Sequence, residues 1–173
     1  EILMSTYPLE GNHGVSEEWY QSDKVQVEGF VCREVCREVS NFGPQKTLDE
    51  FLTEFKTPGI SGIDTRDLTL KIREKGSFKA AITTEDVDDD KLIEMAKSQP
   101  SIEDVDVVPL VSTKEIKMFN EDADKKVALI DCGVKRNIIN SFLERDIGVI
   151  LFPYDIDYKT VLDYSPNGLM ITS

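Results

Sequence analysis

A chain of 173 residues, 40% of them apolar and 31% charged, can hold one large or two small domains and has the composition of an ordinary globular protein. No apolar run approaches the roughly 18 residues that span a bilayer, so no membrane partner is expected. With 33 acidic against 20 basic residues the formal charge is −13, a field that repels phosphate backbones and argues against nucleic-acid binding.

The first residues, "EILMSTYPLEG", lack the basic stretch and apolar core of a secretory signal. They also lack an initiator Met, so an earlier beginning is expected. The three cysteines, an odd number without a signal, fit a reducing, cytoplasmic setting better than a disulfide framework. In "VQVEGFVCREVCREV" the β-branched, alternating first half predicts a strand. Cys32 and Cys36 would lie about 6 Å apart along a helix but roughly 13 Å apart along a strand. Zinc needs two further ligands, and Cys132 and His13 alone remain, so metal binding is not expected.

"TLDEFLTEFKTPG" predicts a helix: Thr47 and Glu50 form a capping box, Leu48, Phe51, Leu52 and Phe55 make one apolar face, and Pro58 and Gly59 stop it. "GISGIDTRDLTLKIREKGS" predicts a second, capped at Asp64 or Thr65 and ended at Gly76. A strand is expected over "FKAAIT". The acidic run "TEDVDDDK" reads as a solvated start to the helix "DDDKLIEMAKS", its carboxylates favouring the helix dipole. "KEIKMFNEDADKK" is polar and without apolar period, which places a linker over 113–126 between domains at 1–112 and 127–173.

Beyond it, strand "KVALID", helix "NIINSFLERD", strand "GVILFP", helix "YKTVLDYS" and strand "GLMIT" alternate at the spacing of βαβ units, predicting a parallel, doubly wound sheet. Ligands of such sheets sit outside the carboxyl ends of the strands. Cys132 falls there, before a helix, where a thiol can be activated. Yet a nucleophilic cysteine needs a base, and His13 belongs to the other domain, so Cys132 is read as filling space beside Gly133. Lys135, Arg136 and Asn137 open the helix at the ligand-facing edge; they are candidates for a pocket or interface, with capping as the plainer role. Asp64, Thr65 and Arg66 are candidates for a domain or subunit contact, although a helix cap accounts for the first two. Trp19 and Tyr20 read as core or interface aromatics.

"STYPLEGNHGV", "SNF", "GISGIDTRDLTLKIREKG", "ALIDCGVKRNII" and "SPNGLMITS" stand in the order found in the small subunit of glutamine-dependent carbamoyl phosphate synthetase. From end to end, the chain resembles that family. The resemblance implies an α/β protein in which an N-terminal β/α small-subunit domain precedes the first βαβαβ part of a flavodoxin-like class I glutamine amidotransferase domain. It implies glutamine as substrate, attacked by a cysteine with a His/Glu pair to release ammonia. It also implies a large-subunit partner that holds ATP and Mg and uses bicarbonate to make carbamoyl phosphate, serving arginine and pyrimidine synthesis.

The family's nucleophile lies in a G-x-C-x-G-x-Q elbow, and that string is absent from this sequence. A fragment lacking both ends is therefore expected: no catalytic residue in this chain, no cofactor of its own, and Ser173 adjoining a missing glutamine-binding loop. Asp67 and Leu70 stand where the family usually has Ala and Arg, and Cys132 where it usually has an aromatic residue. The other reading is a non-catalytic interaction domain joined to a flavodoxin-like sheet that binds a small ligand.

Overall fold

The computed structural model describes residues 1–41, 43 and 46–172, which form two compact units, Glu1–Ser101 and Ile102–Ser173. The fold is mixed α/β, with parallel sheets in both units.

The first unit is built from short pieces. Strands β1 (Ile2–Met4), β2 (Leu9–Glu10), β3 (Gly29–Val31) and β4 (Glu34–Val35) lead to helix α1 (Leu48–Glu54), strand β5 (Gly59–Ile60) and helices α2 (Thr65–Lys75) and α3 (Asp89–Ser98). One parallel sheet runs β1-β3-β5; β2 and β4 pair separately. The helix starts follow the sequence closely. Thr47 Oγ1 accepts from Glu50 N (3.2 Å) while Glu50 Oε2 accepts from Thr47 N (2.8 Å), a complete capping box. Asp64 Oδ1 accepts from Asp67 N at the head of α2, and Asp88 Oδ1 from Asp90 N and Lys91 N at the head of α3. Helix α1 stops earlier than Pro58, because Lys56 turns into the left-handed region (φ 53°).

One expectation fails here: the run "FKAAIT" forms no strand. Only Ala81 and Ile82 are even half-buried, and the Ile82 side chain lies against Gly29 of β3, where an added Cβ would come within 2.6 Å of it. Side-chain contact with a sheet replaces membership of its ladder.

The second unit carries helix α4 (Val108–Val111), strands β6 (Lys117–Phe119) and β7 (Lys125–Asp131), helix α5 (Arg136–Leu143), strand β8 (Ile147–Pro153), helix α6 (Tyr158–Asp163) and strand β9 (Gly168–Ile171). The order is β6-β8-β7-β9, with β7 parallel to both neighbours and β6 antiparallel to β8. Strand β6 thus falls inside the stretch read as a polar linker. Its pairing is supported by apolar residues scattered among charges: Phe119 packs on one core face and Ile116 on the other.

Successive side chains of a strand point to opposite faces, and the two cores follow that rule. Val127, Leu129, Val149 and Leu151 pack with Ile139 of α5; Ala128, Ile150 and Phe152 pack with Val161 of α6. Near-continuous apolar runs are what a sheet covered on both faces requires. Gly148 is needed where the Asn120 carbonyl oxygen comes within 2.6 Å of an ideal Cβ. Among the described residues no helix is long and apolar enough to cross a membrane.

Candidate functional site

In the second unit β8 lies on one side of β7 and β9 on the other, while α5 and α6 pack on opposite faces. The crevice between the carboxyl ends of β7 and β9 is therefore the switch point, where open α/β sheets place ligands.

Three buried polar residues stand at the carboxyl ends of these strands: Asp131 at β7, Thr172 after β9 and Ser112 beside the end of β8. The β7 strand ends in Asp131, whose Oδ1 accepts from Gly133 N (3.0 Å) and Val134 N (2.9 Å) and whose Oδ2 accepts from Thr113 N (2.7 Å). Thr172 Oγ1 accepts from Cys132 N and donates to Ile130 O, both at 3.1 Å, so it binds the end of β9 to that of β7. Ser112 Oγ accepts from Tyr154 N (3.0 Å), just after β8. Each polar group thus has a partner, as burial demands.

Gly133 turns the loop at φ +112°, and an ideal Cβ there would lie 3.3 Å from Val111 Cγ2. A side chain at this position would be both strained and crowded. The loop delivers Lys135, Arg136 and Asn137 to the exposed start of α5. Lys135 occupies the N-cap without a side-chain cap bond, and its part there is by backbone: its carbonyl accepts from Ile138 N (2.9 Å). Cys132 is half-buried, with its backbone N–H held by Thr172; Ser173 lies outside the described residues.

Asp64, Thr65 and Arg66 stand at the head of α2 in the first unit. Thr65 is buried and its carbonyl accepts from Thr69 Oγ1 (2.6 Å), while Arg66 is exposed. Asp67 pairs with Lys71 (2.7 Å) across the helix surface, and Leu70 is exposed. Trp19 is about half exposed, whereas the Tyr20 ring packs on Phe51 at 5.3 Å.

Cys32 lines a cleft of about 210 Å³ in the first unit with Phe30, Leu48, Leu52 and Ile60. Burial, and secondarily the charge of Glu10, push its thiol above the ordinary value of 9.0. Such a thiol is a poor nucleophile. Cys36 Sγ donates to Glu38 O, and no cluster of metal-ligating side chains occurs among the described residues.

Sequence reading put the strand ends of the expected pocket near Asp131 and Thr172 but gave neither side chain a role, and it passed over Ser112. Asp131 did leave one trace: a carboxylate closing an apolar run and followed by x-Gly is the pattern of an Asx turn.

The family model for the CPSase domain of the carbamoyl-phosphate synthase small chain matches residues 1–82. Similarity to known proteins extends further. A carbamoyl phosphate synthase small chain of Archaeoglobus fulgidus is 46% identical over 173 residues, all of this chain and 48% of the relative. Its counterparts in Methanocaldococcus jannaschii and Methanopyrus kandleri are 46% and 38% identical, again across the whole chain and covering 48% and 49% of their own lengths. The chain spans about half the length of the curated relatives it matches. With both units included in that similarity, the chain belongs to the carbamoyl-phosphate synthase small chain family.

Proposed function

We propose that this chain is part of the glutamine-hydrolysing subunit of a cytoplasmic carbamoyl phosphate synthase. The subunit supplies ammonia to a large subunit that makes carbamoyl phosphate from bicarbonate with ATP and Mg. The observation that carries this reading is identity of up to 46% sustained through both units to proteins named as the synthase small chain. In this reading residues 1–112 are the small-subunit domain. Residues 127–173 open the flavodoxin-like amidotransferase domain, and 113–126 join them while contributing β6 to the sheet.

The β7/β9 crevice is the side of the sheet on which glutamine binds, with Lys135 and Asn137 on its rim. Asp64, Thr65 and Arg66 belong to a contact surface of the first domain. The chain's own part in the reaction is to orient: Asp131 and Thr172 fix the strand ends, and a rigid rim holds an amide substrate for attack. The nucleophile, its base and the groups that stabilise the oxyanion are contributed by sequence outside these 173 residues.

Ammonia release from glutamine tests the assignment. The purified 173-residue chain is expected to give only the background rate, and the whole small chain to hydrolyse glutamine and to support ATP-dependent carbamoyl phosphate formation with its large partner. Turnover by the 173 residues alone, abolished by Cys132→Ser, would instead make Cys132 the nucleophile.

A further inference from the structure

Asp131 is an ionisable side chain with only 4% of its surface exposed, and its described hydrogen bonds all come from backbone N–H groups. An ionised carboxylate, which only accepts, is suited to three donors. Its two oxygens serve different stretches of chain. Oδ1 holds Gly133 and Val134, the loop that leads to Lys135 and α5; Oδ2 holds Thr113, the segment that leads into β6. That segment is fastened a second time, because Ser112 beside it accepts from Tyr154 N past the end of β8.

We propose that Asp131 is a positioning residue that locks the 132–137 rim of the β7/β9 crevice to the Ser112–Thr113 segment, so that displacement of that segment is felt at the rim. The proposal rests on the reading of this crevice as the glutamine side of the subunit. It assigns the buried carboxylate a role in substrate placement and makes the Ser112–Thr113 segment, within the second unit, a lever on that placement.

Substitutions separate the two ties. Asparagine has the same shape but one acceptor oxygen and one NH₂ group. With its oxygen toward Gly133 and Val134, the NH₂ opposes the Thr113 N–H, so Asp131→Asn removes the carboxylate's tie to the segment while keeping the loop. Asp131→Ala frees both.

The test uses the whole small chain assembled with its large synthetase partner and reads amide exchange and glutamine hydrolysis together. Asp131→Asn is expected to speed exchange at Thr113, with Gly133 and Val134 still protected, and to raise KM for glutamine measurably. Asp131→Ala is expected to expose all three amides and raise KM about tenfold, more than Asp131→Asn does, with kcat close to the starting enzyme.

A merely structural aspartate would reduce the fraction of folded enzyme, lowering kcat at unchanged KM; that result overturns the proposal. If Asp131→Ala does not fold, Asp131→Asn decides: a freed Thr113 with unmoved KM refutes the coupling. An unsubstituted assembly that hydrolyses no glutamine defeats the family activity instead. The tie itself is then judged by whether Asp131→Asn speeds exchange at Thr113 alone.

Discussion

The two units reach stability by different routes. Of the eleven buried apolar side chains among the described residues, Cys32 alone lies in the first unit; the rest belong to the shorter second unit. The second unit buries seven-residue strands between helices on both faces, so its stabilisation scales with apolar area removed from water. The first has, among its described residues, strands of two or three residues and no fully enclosed aliphatic core. Its order is held by caps, turns and backbone hydrogen bonds, each worth about 1 kcal/mol. A ligand edge belongs on the rigid unit, since precise placement needs a scaffold that does not open locally.

Truncating the second unit's core should have the largest effect. Phe152 has no exposed surface, sits in β8 and meets the Tyr164 ring edge-on at 5.3 Å. Phe152→Ala should cost about 3–5 kcal/mol, the usual loss for a buried aromatic. The contrast between units can be followed in the same sample, because the sole tryptophan, Trp19, reports on the first unit. Urea titration should show the amides of β7 and β8 losing protection at much lower denaturant, with the Trp19 fluorescence midpoint nearly unmoved. Equal shifts in both probes would mean that the units unfold as one, and the comparison would fall.

The same contrast governs what was legible in the sequence. Helix α1 could be read from Thr47, Glu50 and four apolar positions because its determinants are local. Strands β7 and β8 could be read because burial on both faces leaves unbroken apolar runs. Strand β6 could not: Ile116 and Phe119 serve different core faces and stand among charged neighbours. "FKAAIT" had strand composition but no partner strand, and pairing is a property of two segments. Lys135 and Asn137 were singled out by their position after β7, and the structure puts both at the exposed start of α5. Asp131 acts on a backbone group eighteen residues away and Thr172 on one forty residues away, so neither contact has a local signature.

Breaking a cap in the first unit should give a smaller, more local effect. Thr47→Ala removes the acceptor for Glu50 N and leaves the carboxylate of Glu50 with only the residue 47 amide. The expected loss is about 1 kcal/mol. It should lower the Trp19 midpoint, since α1 carries the Phe51 ring that packs on Tyr20, and leave protection in β7 and β8 unchanged. A shift in the second unit alone would show that Trp19 and α1 do not share a stability.

The smallest predicted effect is a pH dependence confined to the same cap. The Glu50 carboxylate accepts from the Thr47 backbone N–H and from the Thr47 hydroxyl, and these bonds, in that order, hold its pKa below the ordinary value of 4.5. Both donors favour the ionised form. A carboxylate whose folded pKa is depressed contributes stability that is fully present above its unfolded value and is lost as pH falls through the folded one. The Trp19 midpoint should therefore be flat with respect to this group well above pH 4.5, and should decline below it as Glu50 protonates. The group is exposed, so salt and solvent keep the change small. Glu50→Gln supplies the control, because its amide oxygen can still accept from Thr47 N but does not titrate. Midpoints measured across the acid range for both proteins should diverge above pH 4.5 and converge below it. Parallel curves would show that Glu50 contributes nothing to the acid sensitivity of the first unit, and that its cap is held by the Thr47 hydroxyl alone.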